Sequence, residues 1–173
     1  PTAVPDLDAR LAIARTAVKK HSHKLKADLA QALKDGGPKH AIGHCVSLSP
    51  EIDAIVSEEQ GIEIGRTALK VRNSENAPDD WEIAGLERFA KQISEGADPH
   101  KLEHYDVTVT TEGQRLFRYL KPIMMQEMCL VCHGPSVAQD VKSEIAKSYP
   151  DDKAIGFNLN ELRGAFTLVQ RID

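Results

Sequence analysis

Several features that would define a class of protein are missing from this chain of 173 residues. Its apolar runs are short and broken by charges, well below the roughly 20 residues that a membrane-spanning helix needs, so we expect no membrane insertion. The formal net charge of −4 provides no basic surface for a phosphate backbone, and nucleic acid is therefore not an expected partner. No internal repeat or flexible linker divides the chain. The sequence predicts a single domain over residues 1–173.

Aromatic residues and cysteines are also scarce. Aromatic side chains make up 5% of the chain and Trp81 is the single tryptophan, so a large apolar cofactor could fill part of the core. The chain holds only three cysteines, and its length allows a sizeable core without disulfides. The first residues, PTAVPDLDAR, include no initiator Met and no basic-then-apolar leader, so we expect a mature or trimmed form whose export signal has been removed.

The first third of the chain predicts helices. Leucines and valines at three-, four- and seven-residue spacing predict a long amphipathic helix over residues 6–34 that stops at the sequence DGGP. Its apolar stripe is a candidate homodimer contact. Two short helices are expected next, one begun by Pro38 and one begun by Pro50, with Gly61 closing the second.

Later segments predict strands mixed with helices. In chain order we expect a strand in IEIGRTALKVRN, a helix from Pro78 and Asp79, a hairpin of HYDVTVTT and QRLFRYLKPI, a short capped helix in PSVAQDVKSEIAKSYPDD, and a strand pair that turns near residues 158–161. This order predicts an α+β fold in which helices pack on one side of an antiparallel sheet.

The segment EMCLVCHGP carries a Cys-x-x-Cys-His motif, for which three interpretations compete. A redox dithiol should begin a helix that follows a core strand in a βαβ unit, and no such unit surrounds it. A structural zinc needs four ligands, and no second Cys or His pair stands at a usual spacing. A covalent haem attachment point remains as the favoured interpretation.

Haem attachment uses every residue of the motif. Cys129 and Cys132, three apart on one helical turn, can form thioethers with the two vinyl groups of a porphyrin, and His133 then reaches the iron. The motif therefore predicts one covalently bound haem c. Bacteria attach haem in this way on the extracytoplasmic side, so we expect a periplasmic location.

The opposite axial position of the iron stays open at this point. This position could be vacant, or a sulfur or imidazole side chain could fill it. The candidate side chains are Cys45, His44, His104, Met124, Met125 and Met128. Periodicity favours Cys45 as a small hydrophobe in a stripe with Ile42, Leu48 and Ile52, and the methionines as soft packing around the porphyrin. The remaining histidines lie among charged residues and are expected to be solvated: His21, His23, His40 and His100.

Four blocks in order, GGPKHAIGHCVSLSPEI, GIEIGRTALKVRNSENAPDDWE, CLVCHG and YPDDKAIGFNLNELRGAFTLV, resemble a known family over about residues 30–170. These are c-haem proteins with a PAS-like fold, found as stand-alone bacterial cytochromes and as periplasmic sensor modules of histidine kinases. The resemblance implies a PAS-like antiparallel sheet with flanking helices and an iron held between His133 and Cys45. It also implies that Arg66 and Arg72 neutralise the haem propionates.

These ligands imply a function without catalysis. A thiolate stabilises Fe(III) and lowers the reduction potential, and two filled axial positions leave no site for oxygen or peroxide chemistry, so we expect no enzyme. The leading hypothesis is a sensor module for redox state or for CO or NO, working with a signalling partner. The alternative is an electron carrier that exchanges electrons with a redox partner. A haem enzyme such as a peroxidase would require a vacant distal site.

Overall fold

The computed structural model describes residues 4–172, apart from the side chain at position 48. The helices and strands, in chain order, are α1 (Leu7–Gln60), β1 (Glu63–Thr67), α2 (Asp80–Ser94), β2 (His104–Val109), β3 (Arg115–Met124), α3 (Glu127–His133), α4 (Gln139–Ser148) and β4 (Leu162–Ile172). The predicted α+β class with a long N-terminal helix is confirmed. Within the described residues, no helix combines the length and apolar character needed to cross a bilayer.

The four strands form one antiparallel sheet in the order β1-β4-β3-β2. Because strand side chains alternate between faces, Phe117 and Tyr119 of β3 pack against α1, whereas Leu120 packs against α2 on the other side. Phe89 of α2 is fully buried in that second cluster. The expectation that helices cover one side only is therefore wrong, since each face of the sheet carries a helix.

Helix α1 is a hairpin of two helical arms that meet at Gly37. The backbone of Gly37 (φ 71°, ψ −170°) lies in a region that is open essentially to glycine alone. The first arm (7–36) and the second arm (38–60) lie side by side, with Lys20 Nζ 3.0 Å from Glu59 Oε2. The predicted stop of the first helix at DGGP is confirmed, and Pro38 occupies the first turn of the second arm.

The second arm contradicts the prediction of two short helices. It continues through Pro50 to Gln60, and it ends at Gly61 in the left-handed conformation (φ 64°), as expected. Proline removes one backbone hydrogen bond from a helix. Ile52 and Val56 are 0% and 2% exposed in the core beneath the sheet, and this packing outweighs the local preference for a break.

Three further predictions concern the rest of the fold. The hairpin of β2 and β3 is confirmed. The start of α2 is also confirmed, and it carries a capping box: the Asp79 side chain accepts from the Glu82 backbone N–H, and the Glu82 side chain accepts from the Asp79 backbone N–H. The C-terminal strand pair is wrong, because only β4 is a strand. The turn at residues 158–161 exists, but the backbone of residues 154–157 bonds to the end of α3 instead of to the sheet.

We expect Gly37→Ala to lower the free energy of unfolding by about 1–3 kcal/mol, because alanine must adopt a backbone conformation it disfavours. Gly43→Ala is the matched control. Gly43 lies inside the second arm with no neighbouring atom within 4 Å of an added Cβ, so this change should stabilise the protein by about 0.5–1 kcal/mol. Chemical denaturation measures both, and equal effects of the two changes would contradict the hairpin.

Candidate functional site

The Cys-x-x-Cys-His motif forms α3, a short helix that follows β3 directly. Cys129 and Cys132 are both partly buried free thiols. The start of the helix is fastened to the turn before β4, since the Met125 backbone N–H donates to the Glu161 carbonyl (2.8 Å). At its end, a Cβ on Gly134 would lie 2.5 Å from the Leu130 carbonyl oxygen, so glycine is required for the chain to leave the helix this tightly.

The tautomer of His133 is fixed by its surroundings. Its Nδ1 lies 2.7 Å from the carbonyl oxygen of Ala154, and because a carbonyl can only accept, Nδ1 carries the proton. Burial lowers the pKa of His133 well below its ordinary value, and the charges of Arg163 and Arg72 lower it further. The ring is therefore neutral and its Nε2 lone pair is available, which is the state that a metal-ligating histidine adopts.

The segment that holds His133 runs beside the end of α3. The Phe157 backbone N–H donates to the His133 carbonyl (3.0 Å), and that of Gly156 donates to the Gly134 carbonyl (3.1 Å). The Phe157 ring meets the His133 ring edge to face, with centroids 6.4 Å apart. Ala154 is completely buried in the same cluster. Residues 154–157 thus form a backbone clamp, which we call the His clamp.

Arg72 connects the loop after β1 to both the motif and the His clamp. Its Nη2 donates to the carbonyl of Cys132 (2.6 Å), to Asp152 Oδ2 (3.1 Å) and to the carbonyl of Ala154 (3.3 Å). Asp152 Oδ1 also accepts from the Ala154 backbone N–H (2.8 Å). The Arg72 and Asp152 side chains are only 14% and 11% exposed, so the pair is nearly buried. The pair holds the backbone of Cys132, which precedes His133, and the backbone of Ala154, to which the His133 ring is hydrogen-bonded.

Cys45 lies on the second arm of α1, in the same region as the motif. Ile42, one turn earlier, packs against Val141 and Ile145, and Cys132 and Tyr149 lie at the edge of that cluster. Burial raises the pKa of the Cys45 thiol, while the charges of Arg66 and Arg72 act in the opposite direction. Burial likewise raises the pKa of Cys132, and Cys45 contributes to that rise. The fold therefore brings Cys45 within electrostatic range of α3.

Three arginines surround this region, and two of them have no ion-pair partner among the described residues: Arg66 and Arg163. Arg66 donates to the Ser49 hydroxyl, and its buried Nε has no partner. Arg163 donates to the Lys70 carbonyl (3.0 Å). Burial, together with repulsion from Arg72 and Arg66, lowers the pKa of Arg163 to about 10. Buried charges require counter-charges, so this cluster is suited to an anionic group.

A sequence model of the Tll0287-like family matches residues 8–170. This chain belongs to the Tll0287-like family. A solved structure of the cyanobacterial haem protein Tll0287 is similar over 99% of this chain and 98% of that chain, with a TM-score of 0.69 and 19% sequence identity. No curated protein matches this chain. The similarity of the Tll0287 structure supports the PAS-like fold that the sequence blocks had suggested.

The other residues singled out from the sequence lie in different places in this Tll0287-like chain. His104 stacks on Trp81 at α2, with ring centroids 4.9 Å apart. His44 is exposed and faces His40. Met125 is buried beside Ala154 and Phe157, with Cys129 at the edge of the same cluster. His21, expected in solvent, is fully buried, and that expectation is wrong.

Sequence reasoning missed Arg163 and the His clamp. Arg163 stands at the start of a strand-like run, where an arginine normally signals an exposed edge. The clamp acts through backbone atoms of Ala154 and Phe157, which leave no side-chain signature. One sequence signal points to them, since Arg66, Arg72 and Arg163 all lie within the blocks that resemble the c-haem family.

We expect Arg72→Met to lower the free energy of unfolding by about 3 kcal/mol, because it leaves Asp152 with a nearly buried, unpaired charge and removes the side-chain donor of the Cys132 carbonyl. Lys153→Met is the matched control. Lys153 is exposed and forms no ion pair among the described residues, so its replacement should change stability by less than about 0.5 kcal/mol. Urea denaturation of both variants measures the difference.

Proposed function

We propose that this chain binds one haem covalently through Cys129 and Cys132, with His133 and Cys45 as the axial ligands of the iron. The observation that carries the proposal is the state of His133, a neutral imidazole fixed through Nδ1 on the turn that also bears two free thiols. The haem of the structurally similar Tll0287 supports the same cofactor. Bound here, haem would supply one-electron redox chemistry and, wherever an axial position opens, binding of a diatomic gas.

The arginine cluster fits the anionic side of a haem. A haem c carries two propionates, and two partly buried arginines, Arg66 and Arg163, have no carboxylate partner among the described residues. The resemblance of the sequence blocks implies this role for Arg72 as well. Its contacts with Asp152 and with the carbonyl of Cys132 favour a different role, in which it positions the motif backbone. Arg163 takes its place as the second propionate partner.

The surroundings of Cys45 bear on how the protein works. Burial favours the thiol form of Cys45, whereas Arg66 and Arg72 favour the thiolate that an iron ligand must be. As an iron ligand Cys45 would be a thiolate, and a proton added to its sulfur would weaken the bond to iron. We therefore propose a low-potential sensor of redox state or of CO or NO, located in the periplasm, in which loss of this ligand is the signal. With both axial positions filled, no catalytic role is proposed.

One observation favours the alternative, an electron carrier without ligand exchange. The second arm of α1 is anchored on both sides of Cys45, by Ile42 against α4 and by Ile52 in the main core. Side chains packed this tightly resist displacement. A carrier that keeps the iron–sulfur bond in both oxidation states would exchange electrons with a redox partner and bind no gas.

The protein matured in a periplasmic host is expected to carry the mass of one haem that denaturation does not remove. Replacement of both motif cysteines by alanine, Cys129→Ala with Cys132→Ala, should abolish this added mass, because no thioether can form. Cys45→Ala is the control, since it removes the third cysteine and leaves both attachment points. Intact-mass spectrometry under denaturing conditions distinguishes the variants, and a bare polypeptide mass for the parent protein would contradict the proposal.

Cys45→Ala is expected to convert a low-spin ferric spectrum to a high-spin one and to let the reduced protein bind CO more tightly, because the variant vacates the axial position. Val46→Ala, at the exposed neighbouring position, should leave the spectrum unchanged. Absorption spectra with and without CO check both. An unaltered low-spin spectrum in Cys45→Ala would exclude this ligand, and a reduced parent protein that does not respond to CO would favour the electron carrier.

A further inference from the structure

The loop after β1 and the segment around the His clamp share one exposed surface. The Lys153 backbone N–H donates to the Val71 carbonyl (2.9 Å), and Lys70 Nζ donates to the Ile155 carbonyl (2.7 Å), so the two segments lie side by side. Leu69 and Ile155 are 52% and 41% exposed. Both lysines are exposed as well. We call this set of residues the clamp surface: Leu69, Lys70, Lys153 and Ile155.

The clamp surface lies one residue away from the hydrogen bond that fixes His133. Ile155 directly follows Ala154, whose carbonyl oxygen accepts from His133 Nδ1 (2.7 Å). The Lys70 ammonium also lies over the ring of Phe157, 4.3 Å from its centroid, and that ring contacts the His133 ring edge to face. Because Nδ1 and Nε2 lie at opposite edges of the imidazole, the clamp surface belongs to the edge that the proposed iron bond does not use.

The charges of the clamp surface favour a negatively charged partner. Lys70 and Lys153 form no ion pair among the described residues. Of the two carboxylates next to Lys153 in sequence, Asp152 is paired with Arg72 (3.1 Å), which leaves the exposed Asp151. Two lysines therefore outnumber the one unpaired carboxylate, although the chain as a whole has a net charge of −4.

The exposed apolar side chains complete the pattern of a transient interface. Small protein–protein interfaces have an apolar centre and a polar rim, and complementary charges at the rim speed the encounter of the two proteins. Leu69 and Ile155 supply the apolar centre, and the two lysines supply a basic rim. A partner that fits this surface carries exposed carboxylates around an apolar contact of its own.

We propose that the clamp surface is the docking surface for an acidic redox partner protein. The proposal rests on the proposed function, because the haem is the group that exchanges the electron. In each encounter one electron passes between the iron and the partner, so that Fe(II) becomes Fe(III) as the partner is reduced, or the reverse, and the exchange itself transfers no proton. Docking here brings the partner to within one residue of the carbonyl that holds the His133 ring.

The first test measures binding, independently of electron transfer. Fluorescein-labelled poly-L-glutamate, an acidic polypeptide, is titrated with the haem-loaded protein at about 10 mM salt, where surface charges are weakly screened, and anisotropy reports the bound fraction. Lys153→Glu should weaken binding by about 3–10-fold. Lys19→Glu is the matched control, since it makes the same charge reversal at an exposed lysine on the first arm of α1, and it should bind like the parent.

The second test measures electron transfer with two small oxidants of opposite charge. Ferricyanide, a trianion, takes one electron from the reduced protein and should react about 3–10-fold more slowly with Lys153→Glu than with the parent at low salt. Hexaammineruthenium(III), a trication, should react faster with the same variant. Salt at about 0.5 M should remove most of both differences, because it screens the charges.

Lys70→Gln keeps the inference testable should Lys153→Glu fail to fold, as judged by circular dichroism. This variant removes one positive charge instead of reversing it, so its effects should have the same direction and a smaller size. Its far-ultraviolet spectrum provides the same check on folding.

Equal effects of Lys153→Glu and Lys19→Glu in both tests would overturn the inference. A dimer of the parent that Lys153→Glu dissociates in analytical ultracentrifugation would also overturn it, because the surface would then bind a second copy of this chain. A chain without a haem spectrum would remove the proposed function and this inference together. A haem protein whose binding and rates are unchanged in Lys153→Glu would remove this inference alone.

Discussion

The hydrogen bond from His133 Nδ1 to the carbonyl of Ala154 is the interaction on which the site depends. It fixes the proton on one nitrogen and leaves the other nitrogen with its lone pair. The Ala154 carbonyl is itself held in place by Arg72, which also donates to the Cys132 carbonyl. The imidazole, α3 and the His clamp therefore form one hydrogen-bonded unit, in which a shift of the clamp backbone would also reorient the ring.

A second constraint places Cys45 near that unit. Because Gly37 reverses the chain, the second arm of α1 returns beside the first and rests on the sheet, with Ile52 completely buried. The position of Cys45 is thus set by the main core, whereas the position of His133 is set by local backbone bonds. The two axial ligands that we propose therefore belong to different parts of the fold, Cys45 to the main core and His133 to the hydrogen-bonded unit around α3. An iron–sulfur bond at this site would resist movement of one part relative to the other.

The sequence predicted those elements whose signals are local. Leucine spacing and the DGGP stop predicted the first arm, Asp79 predicted the start of α2, and alternation around a turn predicted the β2–β3 hairpin. Each of these depends on backbone propensities within a few residues. The Cys-x-x-Cys-His motif is local in the same sense, because it lies within five consecutive residues, and its position on a helical turn is what the structure shows.

What the sequence did not predict depends on distant contacts. Pro50 looked like a helix start, but burial of Ile52 and Val56 keeps the second arm continuous. The segment after Asp152 alternates as a strand does, yet its hydrogen bonds go to α3. His21 sits among lysines, and only the hairpin, which brings Asp53 beside it, explains why it is buried. Periodicity within one segment cannot show which distant partner that segment will meet.

The position of β4 in the sheet has a consequence for biogenesis. This strand, Leu162–Ile172, is the fourth of the sheet in sequence order and the one to which both β1 and β3 pair, so β1 has no neighbouring strand in the sheet until β4 is in place. Until then two strand edges expose unpaired amides, and such edges promote association between chains. The sheet consequently cannot form strand by strand in sequence order, and its folding depends on the arrival of β4 between two strands that precede it.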